Sequence, residues 1–114
     1  MRFKVVGFMI SKFRNDENGY KEWVGNYEFG YVFNFFGGRD SAYNLVHKAN
    51  CRTLRRKTDD GSRTAIEKVC STDLKVLSDE ATRLRGSSQD WSMCKICFKA
   101  VADKNVGAIT SATV

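Results

Sequence analysis

The sequence predicts an α+β fold, a small antiparallel sheet followed by a module with one or two helices. Three observations carry that prediction. Apolar and aromatic residues alternate with period two through much of the first half, a stretch near residues 72–85 is apolar at helical spacing, and four soft donors fall in two short pairs. At 114 residues the chain is expected to form a single domain, small enough for a bound metal to matter. Within it, residues 1–41 read as a β-hairpin region, 42–104 as a metal-stapled module, and 105–114 as a tail or truncated linker.

Taken in order, Phe3, Val5, Gly7 and Met9 alternate with Lys4, Val6, Phe8 and Ile10, a run apolar on both sides and suited to a central strand. Asn15-Asp16-Glu17-Asn18-Gly19 reads as a turn or exposed loop. Tyr27, Phe29, Tyr31, Phe33 and Phe35 mark one face of a strand, and Gly37-Gly38 turns the chain toward a second strand through Tyr43, Leu45 and His47. Those aromatics are expected in the core; a base-stacking role would require Tyr27 or Tyr31 on an open face.

Lys48-Ala49-Asn50 then reverses the chain, and Ala65 to Cys70 forms a short β-like run. The clearest helix spans about Thr72 to Arg85, with Leu74, Leu77, Ala81 and Leu84 as its buried stripe. Ser71 or Thr72 is the expected cap, Asp73 suits the first turn, Arg83 and Arg85 suit the last, and Gly86 ends it. Phe98, Val101 and Ala102 suggest a shorter helix reaching about Asp103.

The donor pairs are His47-Lys-Ala-Asn-Cys51 and Cys94-Lys-Ile-Cys97, and the first contains the only histidine of the chain. Each pair is tight enough for one turn to present both donors to one ion, although 42 residues separate Cys51 from Cys94. Neutral imidazole and thiolate suit tetrahedral Zn²⁺, and a closed four-ligand set is normally structural. The expected zinc ligands are therefore His47, Cys51, Cys94 and Cys97. Cys70 is expected to be a small buried hydrophobe; the alternative is an all-cysteine site in which it replaces His47. Two disulfides are disfavoured because the apolar run Val5 to Ile10 is too short and badly flanked for a signal peptide, which places the expected location in the cytoplasm.

The stretch Val46-His47-Lys48-Ala49-Asn50-Cys51-Arg52-Thr53-Leu54, with Ser71 to Leu84 and Trp91-Ser92-Met93-Cys94-Lys95-Ile96-Cys97-Phe98, resembles the Ada-type zinc module in an H-x3-C…C-x2-C variant. The resemblance covers the second half of the chain and nothing before Ala42. Such modules occur in bacterial methylation-damage repair proteins and attached to other DNA-processing enzymes. What the resemblance implies is a zinc module packed against DNA. Its methyl-accepting first cysteine corresponds to His47 here, and an imidazole cannot serve as a zinc-activated thiolate nucleophile, so methyl transfer does not carry over.

Charge points the same way. The formal net charge is +6 and the pI about 9.3, which favours a polyanionic partner. From Lys48 to Lys68 there are seven basic residues against Asp59, Asp60 and Glu67. Lys48, Arg52, Arg55, Arg56 and Lys57 are the expected DNA-phosphate contacts, which position a protein without reading sequence. A protein-interaction module, such as a phage-type inhibitor of an acidic host protein, is the alternative. Oligomeric state is left open by the sequence.

Enzyme chemistry is not expected. His47 is followed by Lys48 and Ala49, without the His-x-Glu of a zinc deaminase. One histidine cannot serve both a serine triad and a metal site, and no G-x4-G-K-[ST] loop is present. Asp60 with Asp73 and Lys75 is a poor nuclease set, because Asp73 and Lys75 fall at a helix start. No apolar stretch approaches the roughly 18 residues needed to span a bilayer. The reading is a non-enzymatic, zinc-stabilised DNA-binding domain, the recognition part of a restriction, repair or other DNA-processing protein.

Overall fold

The computed structural model describes residues 10–38 and 40–98. Its elements run β1 (Ser11–Phe13), α1 (Glu17–Asn26), β2 (Tyr31–Phe35), β3 (Leu45–Lys48), three short 3-10 turns (Arg52–Arg55, Lys57–Asp59, Arg63–Ala65), β4 (Glu67–Ser71), α2 (Leu74–Arg85) and β5 (Ser92–Met93). The fold is α+β, with five strands in the order β1-β4-β2-β3-β5. All neighbours are antiparallel except β3 and β5, which are parallel, so the sheet is mixed.

Strand alternation gives the sheet two different faces. Phe33, Val46 and Val69 point to one side and are fully buried beneath α2, whose Leu77 and Ala81 meet them. Tyr31, Phe35 and Trp91 complete that layer, and the Trp91 indole donates to Thr82 Oγ1 at 3.0 Å. Val32, Cys70, Ala49 and Cys51 pack on the other side with Tyr20 of α1, flanked by Phe13 and Trp23.

The expected hairpin is present: Tyr31 pairs with Lys48 and Phe33 with Val46. Its connection is held by Asn44, which is fully buried. The Asn44 side chain accepts from the backbone of Phe36 at 2.9 Å and Gly37 at 3.0 Å, and donates to the carbonyls of Gly37 and Asp40. Gly37 and Gly38 take the left-handed backbone that this turn requires.

Two expectations in the first half are corrected. The segment read as a loop from Asn15 enters helix α1 at Glu17: Asp16 caps it, accepting from Gly19 N at 2.9 Å, and Tyr20, Trp23 and Val24 supply the inward face. The aromatic strand is shorter than its alternation suggested. Tyr27 follows the end of α1 and Phe29 lies in the connection, 83% exposed, so only Tyr31, Phe33 and Phe35 belong to β2.

Helix α2 matches its predicted span closely, but its cap is Asp73, which accepts from Val76 N at 3.1 Å, rather than Ser71 or Thr72. Ser71 instead uses its hydroxyl to accept from Asp73 N. Gly86 ends the helix in the left-handed conformation, its N–H on the Thr82 carbonyl at 2.8 Å. The expected strand from Phe3 and the expected helix to Asp103 fall largely outside the described residues.

Candidate metal centre

The parallel pairing of β3 with β5 builds the centre. Leu45 stands opposite Ser92 and Val46 opposite Met93, which brings the two donor pairs side by side at the same end of their strands. His47 lies within β3. The turn after it is closed by Cys51 N on the Lys48 carbonyl at 2.9 Å, and Cys51 follows directly. Cys94 leaves β5 with its N–H on the Val46 carbonyl at 2.8 Å, and the next turn carries Cys97 back until its Sγ accepts the Lys48 N–H at 3.2 Å.

His47, Cys51, Cys94 and Cys97 thus form a group whose donor atoms all lie within 4.8 Å of one another. His47, Cys51 and Cys94 are buried and Cys97 is half-buried. The Cys51 and Cys94 sulfurs are 4.0 Å apart and the cysteines are unbridged. A tetrahedral zinc with bonds of about 2.3 Å to sulfur sets sulfur–sulfur edges of roughly 3.8 Å, so this donor set can close on such an ion with little movement. The four residues fit a metal ion.

Electrostatics prepare two of the four donors, His47 and Cys51, and oppose ionisation of Cys97. Burial, reinforced by the charges of Lys68 and Arg56, pushes His47 down to about 4, so its imidazole is neutral at pH 7, the form that binds a metal. Burial alone would raise Cys51, but hydrogen bonds from the Thr53 hydroxyl and backbone, and from Cys97 and Cys94, outweigh it and hold the thiol low. Burial pushes Cys97 up to about 12.

Two neighbours that sequence reasoning did not single out touch the donors. Thr53 Oγ1 lies 3.0 Å from Cys51 Sγ and 3.3 Å from His47 Nδ1, spanning two of the four. Asn34 Nδ2 lies 3.3 Å from His47 Nε2 on the other side of the ring. Thr53 can accept the Nδ1 proton, as a partner that fixes ring orientation and tautomer at a metal-ligating histidine does, whereas the Asn34 amide can only donate to Nε2. Thr53 carried a weak signal, a hydroxyl two residues beyond a donor. Asn34 carried none, because its place depends on strand register.

Cys70 is fully buried in β4, opposite Ser11 and Val32, and lies outside the four-donor group. Burial raises its thiol pKa strongly, as suits an inert packed sulfur.

The basic segment starts where the centre ends. Arg52, Arg55, Arg56 and Lys57 are all exposed along the first two 3-10 turns after Cys51, and none of them forms an ion pair among the described residues. Lys48 is half-buried, with its ammonium 5.5 Å from the centroid of the Phe98 ring. Arg63 pairs with Asp60, and Lys68 is buried, so the exposed basic surface is narrower than the run of charges in the sequence. Among the described residues, no helix is long and apolar enough to cross a membrane. No family model matches this chain, and no curated protein or solved structure matches it either.

Proposed function

We propose that the chain is a zinc-stabilised nucleic-acid-binding domain, in which the metal fixes a basic surface against DNA. His47, Cys51, Cys94 and Cys97 would hold the ion. With four protein donors the coordination shell is closed, so the metal supplies folding energy and leaves no position for an activated water. The domain itself is not an enzyme on this reading.

The observation that carries the DNA assignment is the row Arg52, Arg55, Arg56 and Lys57: four exposed cations without ion-pair partners among the described residues, rooted at the donor Cys51. Cations left free in this way are available to phosphate oxygens, and each phosphate neutralised releases counterions. Lys48, held at the start of the same segment, would serve as a fifth contact. The resemblance to the Ada-type module supports the same partner.

A gel-shift titration tests this. Wild-type protein should bind duplex DNA at low salt, with affinity falling steeply as salt rises. Replacing Arg52, Arg55 and Arg56 by Glu should abolish binding while far-ultraviolet circular dichroism stays unchanged. Single replacements should each reduce the salt slope by about one and weaken all sequences alike. Protein loaded with zinc that ignores DNA at low salt would overturn the assignment. The exposed Tyr27 and Phe29 would then favour a protein partner whose carboxylates meet the same arginines.

A further inference from the structure

Strand register places Asn34, His47 and Lys68 on one sheet face. Val32 pairs with both His47 and Cys70, and Asn34 pairs with Lys68, so alternation turns all three side chains the same way. These residues help line a cavity of about 410 Å³, within the roughly 300–1,000 Å³ typical of small-ligand sites. Arg56 and Arg63 line it from the segment after Cys51, and Phe36 and Tyr43 from the β2–β3 connection.

The charge balance of this cavity is unusual. Lys68 is only 6% exposed, yet its ammonium meets no carboxylate among the described residues and donates only to Asn34 Oδ1, at 2.6 Å. Arg63 gives Nη1 to Asp60 and Nη2 to the Arg56 carbonyl, and its buried Nε makes no hydrogen bond. Arg56 is exposed and without an ion pair among the described residues. Asp59 is the single carboxylate in the lining. A buried cation held only by a neutral amide is costly, and an anion in the cavity offsets that cost.

The aromatic side of the cavity is equally open. The Phe36 and Tyr43 rings lie 5.4 Å apart between centroids and are 53% and 60% exposed, so large apolar faces remain uncovered. Flat rings of this kind are the usual platform for an unpaired base.

We propose that this cavity is a nucleotide-binding pocket, with the phosphate held by Lys68, Arg56 and Arg63 and the base laid against Phe36 and Tyr43. The proposal deepens the nucleic-acid reading and rests on it at one residue: Arg56 belongs both to the exposed basic row and to the cavity wall. A single strand tracking the row would deliver one unpaired nucleotide to the pocket, whereas a free mononucleotide would enter alone.

Calorimetric titration of the 114-residue, zinc-loaded chain with 5′-AMP and with adenosine tests the pocket directly. A mixed-sequence single-stranded oligonucleotide and its duplex test the delivery. The nucleotide should bind about tenfold more tightly than the nucleoside, as a charge-assisted phosphate contact requires. The double variant Phe36→Ala/Tyr43→Ala, at two exposed positions, should weaken both 5′-AMP and the single strand about tenfold and leave duplex affinity unchanged. Lys68→Met, which keeps side-chain volume without the charge, should abolish the preference for the nucleotide. Duplex binding with no response to 5′-AMP would overturn the pocket and leave the basic row standing. Binding of 5′-AMP without any oligonucleotide would support the pocket, name the free nucleotide as its ligand and overturn the DNA reading. Equal affinity for adenosine and 5′-AMP would overturn the phosphate assignment, and silence from every probe would overturn both readings.

Discussion

Cys94 donates its backbone N–H to the carbonyl of Val46 at 2.8 Å, and this bond ties the two halves of the candidate metal centre together. It continues the parallel register of Val46 with Met93, so Cys94 follows from the sheet and does not depend on a local turn alone. The second donor of that pair is fixed by the same strand, because Cys97 Sγ accepts from Lys48 N. A metal bound here would stabilise the pairing of β3 with β5, and the pairing would preorganise the metal site.

Loss of a donor should therefore be felt beyond the site. Cys94→Ser or Cys97→Ser is expected to lose stoichiometric zinc and to lower the melting temperature by at least about 10 °C. Elemental analysis paired with thermal denaturation checks this. A metal-free wild-type protein that melts as high as a zinc-supplemented one would refute a structural metal.

Cys70 and His47 should separate cleanly. Cys70→Ser is expected to keep one zinc per chain while costing roughly 1–3 kcal/mol, because a hydroxyl replaces a fully buried sulfur among apolar neighbours. His47→Ala should weaken metal binding. Competition with a chromogenic chelator reads both, and a reversed outcome would identify an all-cysteine site.

Asn44 is expected to behave as a structural keystone of the β2–β3 connection. Asn44→Ala removes the acceptor for the Phe36 and Gly37 amides and the donor to two carbonyls. Unsatisfied buried groups cost about 1–3 kcal/mol each, so urea denaturation should show a loss at or above that range. The variant should also disturb Phe36 and Tyr43, visible as altered tyrosine resonances.

Glu17 should introduce an acid-dependent loss of stability. Burial would raise its pKa, but hydrogen bonds from the Thr64 hydroxyl and backbone and the Arg63 backbone, together with the Arg63 charge, outweigh it and hold the carboxyl below its ordinary 4.5. The stabilisation is complete above the unfolded-state pKa and disappears as pH falls through the lower folded-state value. Glu17→Gln should flatten the stability profile in that acid window. Denaturation midpoints measured from pH 7 down to pH 3 that run parallel for both proteins would contradict this.

The parts legible in the sequence were those with local signals. Donor spacing picked out His47, Cys51, Cys94 and Cys97, and helical periodicity with Gly86 gave α2 within two residues at its start. Alternation gave the β2–β3 hairpin. Helix α1 was hidden because Asn18, Gly19 and Gly25 weaken its propensity; its remaining signals were the Asp16 cap and the spacing of Tyr20, Trp23 and Val24. Tyr27 and Phe29 extended the aromatic alternation past the end of the strand, because composition alone does not mark where β2 starts. The β3–β5 pairing joins distant segments and has no short-range signature. Lys68 enters the sequence reading only as the last charge of the basic run from Lys48, and the register opposite Asn34 reveals that it is buried.

The two-residue strand β5 has a consequence for solubility. It shields the outer flank of β3 at Leu45 and Val46 alone, and Cys94 and Cys97 bracket the turn that keeps it there. Stripped of metal, β5 would lose that anchor and leave the backbone of β3 unpaired, a template for strand addition by another copy of the chain. Chelation of a bound ion should then promote self-association before unfolding is complete, in which case such an ion would guard the sheet's edge as well as staple its interior.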